Sequence, residues 1–185
     1  MFFSNSTIIV RTNNLDVEKN LRNFSFFENN GTSNFSRKFY SINFYNNKND
    51  MGEIHYTNSF EYGKMNVINF IRKSNLFFLF TSSVQHTKFF KKIITTMEKE
   101  KKISFDILKI PITDEIMDFS EVKNFSFIQT DSVSGIIGTL IFNNDPYLIK
   151  MYNNGLITFP FTNNKELIEV IISTSLQILN EYGPI

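Results

Sequence analysis

The stretch from Leu148 to Tyr182 reads LIKMYNNGLITFPFTNNKELIEVIISTSLQILNEY and predicts two strands followed by a long helix. Asn153-Asn154-Gly155 separates two apolar runs, and Asn and Gly tolerate the positive φ of a tight hairpin turn. Thr162-Asn163-Asn164 offers side-chain oxygens that cap a helix. Apolar residues then recur at three- and four-residue steps, so one stripe of the helix is expected to lie on the sheet. This stripe consists of Ile168, Ile171, Ile172, Leu179 and Tyr182.

A similar unit occurs 81 residues earlier (161 − 80), since Phe80-Thr81-Ser82-Ser83 matches Phe161-Thr162-Asn163-Asn164. Strands are predicted at Ile68–Lys73 and Leu76–Phe80, around the turn Ser74-Asn75. A helix is predicted near Val84–Lys102. Its apolar stripe consists of Phe90, Ile93, Ile94 and Met97.

A second match pairs Asn23–Phe27 with Asn124–Ile128, at an offset of 101 (124 − 23). One insertion of about 20 residues in the first copy explains the difference between the offsets (101 − 81). The polar, Gly-containing segment Asn46–Lys64 is the place we assign to it. The consistent order of the matches favours an internal duplication. Chance similarity in a chain rich in Phe and Asn is the alternative.

The remaining elements are predicted from the periodicity of the apolar residues and from the positions of turn-forming residues. The first half is predicted to hold a strand at Ser6–Thr12, a helix from Asn13 through Phe24, a polar connection at Ser25–Ser36, a strand at Arg37–Tyr45 and a short strand at Glu53–Tyr56. The second half is predicted to hold a strand at Ser104–Ile112 interrupted by Pro111, a helical region from Thr113 to Asn124, a strand at Gly135–Phe142 and a turn at Asn143–Pro146.

These elements predict an α+β protein of two repeats, residues 1–102 with the insertion at about 46–64, and residues 103–185. Two such copies would form one curved antiparallel sheet, a saddle, with the long helices on its convex face. Because helices on one side leave the other face uncovered, that face is expected to meet a partner.

Composition sets limits on the function. The formal net charge is +1 and there is no Cys, so neither a strongly basic nucleic-acid binder nor a disulfide framework is indicated. No signal peptide or membrane-spanning run is evident, and we expect a soluble intracellular protein without a membrane partner.

In order of elements, the chain resembles the core domain of the TATA-box-binding protein family, a two-repeat saddle. The resemblance lies in Ile9-Val10-Arg11-Thr12 before Leu15-Asp16, in Arg37-Lys38-Phe39, in Asp145-Pro146 and in Met151–Ile157. It implies a protein that binds the DNA minor groove by driving Phe side chains between base steps. The implied site departs from the family at Ile8 and Lys109, which stand where the family has two Asn residues.

By motif position, the resemblance implies wedges at Phe39, at Phe70 or Ile71, and at Ile136 and Tyr152. With the sheet positions and cations that would reach DNA, the full implied DNA-binding set is Val10, Thr12, Arg37, Lys38, Phe39, Phe70, Ile71, Arg72, Ile136, Lys150 and Tyr152. Lys88, Lys91 and Lys92 on the first long helix, with Pro146 in the loop that resembles the family's second stirrup, are the candidates for contacts with other proteins.

Catalysis finds little support in the sequence. His55 and His86 lie in no metal-ligand spacing, and Gly135-Ile136-Ile137-Gly138 lacks the further glycine and lysine of a phosphate loop. A nucleophile elbow needs a glycine on both sides of the serine, which Ser132-Val133-Ser134-Gly135 does not have. An acidic cluster that could suggest a metal site is better explained by the start of a helix, where the helix dipole favours carboxylates. This cluster consists of Asp114, Glu115, Asp118 and Glu121. We predict no enzyme activity, no cofactor, no metal and no small-molecule substrate.

Two functions from different classes remain. One is a divergent nuclear transcription factor of the TATA-box-binding type, acting on AT-rich promoter DNA with transcription initiation proteins. The other keeps the fold as a protein-docking module with weak or no DNA binding. An unrelated α+β interaction protein remains as a third interpretation, if the duplication is spurious.

Overall fold

The computed structural model describes residues 2–13, 19–29, 37–98, 103–110, 119–131 and 135–182. These residues contain eleven strands and two α-helices of described length, with Lys19 and Asn20 also helical, which confirms the predicted class of antiparallel sheet with helices. The helices are α1 (Thr87–Met97), preceded by a 3-10 turn at Val84–His86, and α2 (Lys165–Tyr182). The strands are β1 (Ser4–Thr12), β2 (Phe24–Asn29), β3 (Arg37–Phe44), β4 (Met51–Thr57), β5 (Asn66–Lys73), β6 (Leu76–Phe80), β7 (Phe105–Ile107), β8 (Phe125–Asp131), β9 (Gly135–Phe142), β10 (Asp145–Met151) and β11 (Leu156–Thr162).

The strand order is β2-β3-β4-β5-β6-β1-β11-β10-β9-β8, and β7 also pairs with β1. The chain divides into two compact units. The N-unit comprises Val10–Leu79 and Gln85–Asp106, and the C-unit comprises Met1–Ile9, Phe80–Val84 and Ile107–Ile185.

In the N-unit, β2 to β6 lie side by side in chain order, and α1 covers one face. Side chains alternate between faces along a strand, so cross-strand pairs such as Ile42 and Ile54 lie on the same face and are buried together. The ring of Tyr56 stacks on Phe89 of α1 with centroids 3.6 Å apart. Phe90 of α1 packs 4.7 Å from Phe77 of β6. The predicted stripe Phe90, Ile93, Ile94 and Met97 is buried, which confirms it.

In the C-unit, β8 to β11 are antiparallel neighbours, and α2 packs on β9. Ile136 and Leu140 of β9 are buried, while the alternate residue Ile141 is exposed. On β10, Ile149 and Met151 are buried beside them. The buried apolar side chains of α2 are Leu167, Ile168, Ile171, Ile172, Ile178 and Leu179, so the predicted stripe is confirmed from Ile168 to Leu179.

Each unit has a strand glycine whose missing side chain makes room for an aromatic ring. A Cβ at Gly138 would overlap the ring of Phe125 on β8. A Cβ at Gly52 would overlap the ring of Phe70 on β5. Both glycines therefore allow a Phe ring to lie flat across the neighbouring strand.

The local chemistry of the opening stretch is confirmed. The Asn164 side-chain oxygen accepts hydrogen bonds from the backbone N–H groups of Glu166 and Leu167, at 3.0 and 3.2 Å, and so caps α2. Gly155 has φ +89° in the turn between β10 and β11. The predicted turn at Asn143–Pro146 is shorter than expected, because Asp145 and Pro146 already belong to β10.

Other predicted elements are corrected. Ser25–Asn29 was expected in a polar connection, yet it belongs to β2, and the helix predicted through Phe24 must end before that residue. Phe119–Asn124 forms turns rather than the end of a helix. Parts of the predicted elements lie outside the described residues, as does the side chain of Tyr182. These parts are residues 14–18, 30–36, 99–102, 111–118 and 132–134.

No helix within the described part of the chain has the length and apolar character needed to cross a membrane.

Ser175 provides a stability prediction. Its Oγ is buried in α2 and has no hydrogen-bond partner among the described residues. Ser173 on the same helix is exposed, and its Oγ donates to the Glu169 carbonyl at 2.8 Å. Ser175→Ala is expected to raise the free energy of unfolding by about 1 kcal/mol relative to Ser173→Ala, because both changes gain helix propensity and only the former removes a buried unpaired hydroxyl.

Urea unfolding of the two variants measures this difference. Equal stability, or lower stability for Ser175→Ala, would mean that the Ser175 hydroxyl has a partner in solution.

Candidate functional site

An exposed aromatic cluster, consisting of Phe27, Phe39 and Phe60, lies on the N-unit. Phe27 of β2 is directly across from Phe39 of β3, with ring centroids 5.1 Å apart. Phe60, from the connection between β4 and β5, lies 5.0 Å from Phe27 and 5.2 Å from Phe39. Phe27 remains 45% exposed and Phe60 43% exposed, and Phe39 is half-buried. Large apolar side chains grouped at a surface are typical of a binding site.

Arg37 lies over this cluster and is held there. Its guanidinium carbon is 4.5 Å from the Phe27 centroid, and its Nε is 2.9 Å from Oε1 of Glu61. The backbone N–H of Arg37 donates to Oε2 of the same carboxylate at 3.1 Å. This backbone hydrogen bond and the guanidinium lower the pKa of Glu61. Arg37 is therefore near the predicted wedge Phe39, but its charge is already paired.

The other two cations of the predicted N-unit set point elsewhere. Lys38 is directly across from Glu28, on the face where Glu28 accepts a 2.8 Å bond from Lys92 of α1. The hydrogen bond from Lys92, with a smaller effect of Lys38, lowers the pKa of Glu28. Arg72 donates to three backbone carbonyls, of Asn49, Ser74 and Lys48, at 2.7, 3.0 and 3.1 Å. Lys38 lies on the helix-covered face, and Arg72 stabilises the β3–β4 turn.

Several predicted DNA-contacting side chains lie in the core. Phe70 is fully buried between Phe44 and Phe77, on the helix-covered face. Ile136 is buried on the α2 side of β9. The other buried members of the predicted set are Val10, Thr12 and Ile71. The prediction that these five side chains contact DNA is therefore wrong for the structure as it stands, because each would have to leave the core to reach a partner.

The C-unit presents its own uncovered face. Leu148 is 44% exposed, and Ile141 is 38% exposed. The register places Leu148 across from Thr139, and Lys150 across from Ile137. Lys150 and Tyr152 are both half-buried, and the Tyr152 N–H closes the turn by donating to the Leu156 carbonyl at 2.8 Å. Pro146 is exposed across from Ile141.

A polar network lies on the uncovered face of the N-unit and was missed from the sequence. The Tyr45 hydroxyl lies 2.9 Å from Oε2 of Glu53 and 3.0 Å from Oδ1 of Asn69. The other oxygen of Glu53 is 3.1 Å from Nε2 of His55. Glu53 and His55 are two residues apart on β4, so the sequence indicates that they share a face. Tyr45 follows β3, and its position beside Glu53 depends on how β3 pairs with β4, which the sequence alone does not give.

The helix lysines predicted to bind proteins are exposed. Lys88 lies 5.0 Å from the Phe89 ring centroid, and Lys91 lies 5.9 Å from that of Phe105. Lys92 forms the ion pair with Glu28. Lys88 and Lys91 are thus surface cations on α1, while Lys92 also links α1 to β2.

The part of the chain that the structure describes groups no three His, Cys, Asp or Glu side chains that could hold a metal ion. Of the predicted acidic cluster, Asp114, Glu115 and Asp118 lie outside the described residues. Ser132-Val133-Ser134 also lies outside them.

Comparison with known proteins gives no relative: the chain matches no family model, no curated protein and no solved structure. The aromatic cluster, the polar network and the uncovered C-unit face are therefore the basis for a functional proposal.

The polar network predicts a titration. Burial, together with the hydrogen bond to Glu53, raises the pKa of Tyr45 to about 12. Because this pKa lies above the unfolded value of about 10, the associated stability is present below about pH 10 and is lost as the pH rises toward 12. Glu53→Gln is expected to lower the pKa of Tyr45, since it removes the adjacent negative charge.

Ultraviolet absorbance of ionised tyrosine, compared with Tyr45→Phe, isolates this group. Glu61→Gln is the matched control, because Glu61 pairs with Arg37 and not with a tyrosine. An unchanged Tyr45 titration in Glu53→Gln would exclude the hydrogen bond in solution.

Proposed function

We propose that this protein is a non-enzymatic binding module that docks a protein partner on the uncovered faces of its strands. The observation that carries the proposal is that large apolar side chains stay exposed on the strand faces that α1 and α2 do not cover. In the N-unit these side chains are Phe27, Phe60 and Val67, and in the C-unit they are Ile141 and Leu148. Their exposure contributes nothing to folding, and burial against a partner is favourable.

We further propose that the module is an internally duplicated saddle. The two sequence matches fall on equivalent elements: one covers the starts of β2 and β8, and the other covers the ends of β6 and β11. A helix follows β6 and another follows β11. In the described residues, the first half has an extra strand, β4, and this strand lies within the segment assigned to the insertion. These correspondences support the duplication. The saddle with the long helices on its convex face is the arrangement that the family resemblance implies.

Charge on the N-unit favours a protein partner over DNA. Phosphate contacts dominate affinity for DNA, and they require free Lys and Arg side chains. On the uncovered face of the N-unit, Arg37 is paired with Glu61, and Glu53 adds a carboxylate. Lys38 lies on the other face, and Arg72 is bound to backbone carbonyls.

The second candidate is a nuclear transcription factor of the TATA-box-binding type. The observation that favours it is the position of Phe39, half-buried among exposed aromatic rings and beside Arg37. In this hypothesis the aromatic cluster supplies the wedge, AT-rich promoter DNA is the ligand, and initiation proteins dock on Lys88, Lys91, Lys92 and Pro146.

Charge-changing variants separate docking on the strands from docking on the helix. Leu148→Lys is expected to abolish binding to the protein that the wild type captures from its native extract, because it places a charge in an apolar contact. The double variant Lys88→Glu and Lys91→Glu is expected to retain that binding. Both should unfold within about half a kcal/mol of the wild type, since these positions are exposed.

Binding is measured by quantitative pull-down, and stability by urea unfolding. Loss of binding only in the helix variant would move the docking surface to α1. Equal binding by all three proteins would reject the C-unit face and α1, and would leave the N-unit face as the docking surface.

The DNA hypothesis has its own test, fluorescence transfer between labelled ends of an AT-rich duplex. If the protein binds as the TATA-box-binding family does, the wild type bends the duplex and Phe39→Ala does not. Tyr62→Ala is the control, because Tyr62 is 85% exposed and follows Phe60 by two residues in the chain. Our proposal of a protein partner predicts no bending by the wild type, and protein-induced bending that depends on Phe39 would replace it.

A further inference from the structure

An exposed ring lies beside a carboxylate on the uncovered face of the N-unit. Tyr45 is 52% exposed, and its hydroxyl lies 2.9 Å from Oε2 of Glu53. Strands β3 and β5 flank β4 and place Asn43 and Asn69 directly across from Glu53. The Glu53 side chain is 27% exposed. The carboxylate is therefore held in place by its neighbours and still meets solvent.

Among the described residues, Glu53 has no lysine or arginine partner. Its other oxygen lies 3.1 Å from Nε2 of His55, and an imidazole carries a positive charge only when it is protonated. Its remaining partner, Tyr45, is a hydroxyl donor without charge. Because a carboxylate can accept about four hydrogen bonds, Glu53 has acceptor capacity left for a cation.

Arg37 shows how this chain itself combines an arginine with a ring and a carboxylate. Its guanidinium carbon lies 4.5 Å from the ring centroid of Phe27, and its Nε lies 2.9 Å from Oε1 of Glu61. A planar guanidinium can stack on a ring and bond a carboxylate at the same time, whereas an ammonium group acts as a point charge. Tyr45 and Glu53 offer the same two groups on the same face, without the arginine.

We propose that an arginine of the protein partner binds at Glu53 and Tyr45, in a segment whose apolar side chain covers the aromatic cluster. This inference rests on the proposed docking of a protein on the uncovered faces. Thr57, directly across from Phe39, is four residues from Glu53 along β4, so the two contacts are about 13 Å apart. In an extended segment, side chains at positions i and i+4 lie on one side with this spacing. The partner segment therefore carries an apolar residue and an arginine four positions apart.

Titration of the ¹⁵N-labelled protein with acetyl-Phe-Ser-Val-Ser-Arg-amide tests the site, with the chemical shifts of β4 as the readout. Affinity for this peptide is expected to exceed affinity for the same peptide with citrulline, the uncharged isostere of arginine, by about threefold or more. Glu53→Gln is expected to remove this difference. Asp145→Asn makes the same change of charge at an exposed position of the C-unit and is expected to keep the difference.

Tyr45→Leu tests the ring separately from the carboxylate. It is expected to reduce the preference for the arginine peptide over the same peptide with lysine, because a guanidinium gains more than an ammonium group from stacking on a ring. Circular dichroism verifies that each variant is folded. No binding of the arginine peptide, equal affinity for the arginine and citrulline peptides, or an arginine preference that Glu53→Gln retains would overturn the proposal.

The peptide titration and the pull-down can fail independently. If Leu148→Lys abolishes capture of the partner while the wild type does not distinguish arginine from citrulline, the docking function stands and the arginine site is rejected. If the peptides behave as expected while the wild type captures no protein from its native extract, the site binds arginine and the docking function is rejected.

Discussion

The packing of α1 on the N-unit strands is the interaction on which the candidate surface depends. Phe89 and Phe90 each meet a ring from the strands, Tyr56 at 3.6 Å and Phe77 at 4.7 Å. Because side chains alternate along a strand, this packing assigns every second residue of β3 and β4 to the core. The residues between them, including Phe39 and His55, are left to the uncovered face. A one-residue slip in register would exchange the two sets.

Prediction from sequence succeeded where the structural signal is local. The hairpin of β10 and β11, its Asn and Gly turn, the Asn164 cap and the stripes of both helices were predicted, because each depends on residues close together in sequence. Strand β2 was missed, since its Ser and Asn residues are typical of loops. The second copy of that sequence, Asn124–Ile128, leads into β8, which was not predicted as a strand either.

The candidate site was less predictable than the fold, for a geometric reason. Arg37, Lys38 and Phe39 are consecutive, yet a strand sends Lys38 to the face opposite its neighbours. Phe60 and Glu61 join the cluster from a loop more than twenty residues away in the chain, a distance set by the length of a hairpin. Their pairing with Phe39 and Arg37 depends on tertiary contacts that no local pattern contains. The family resemblance likewise gave the positions of the motifs, but it did not show that Phe70 and Ile136 are buried and so cannot contact DNA from the core.

The position of Arg37 over Phe27 has a consequence for binding. In the free protein the guanidinium partly covers an exposed ring, and its charge is paired with Glu61. A partner that buries the cluster must displace or share this side chain. Exposed cation–π contacts and surface ion pairs are weak, because the charges stay hydrated. Phe27 and Phe60 are 45% and 43% exposed, so a partner gains from the part of each ring that still meets water. Apolar contact is therefore what the cluster offers a partner, whereas a phosphate backbone would have to compete with Glu61 for the Arg37 guanidinium.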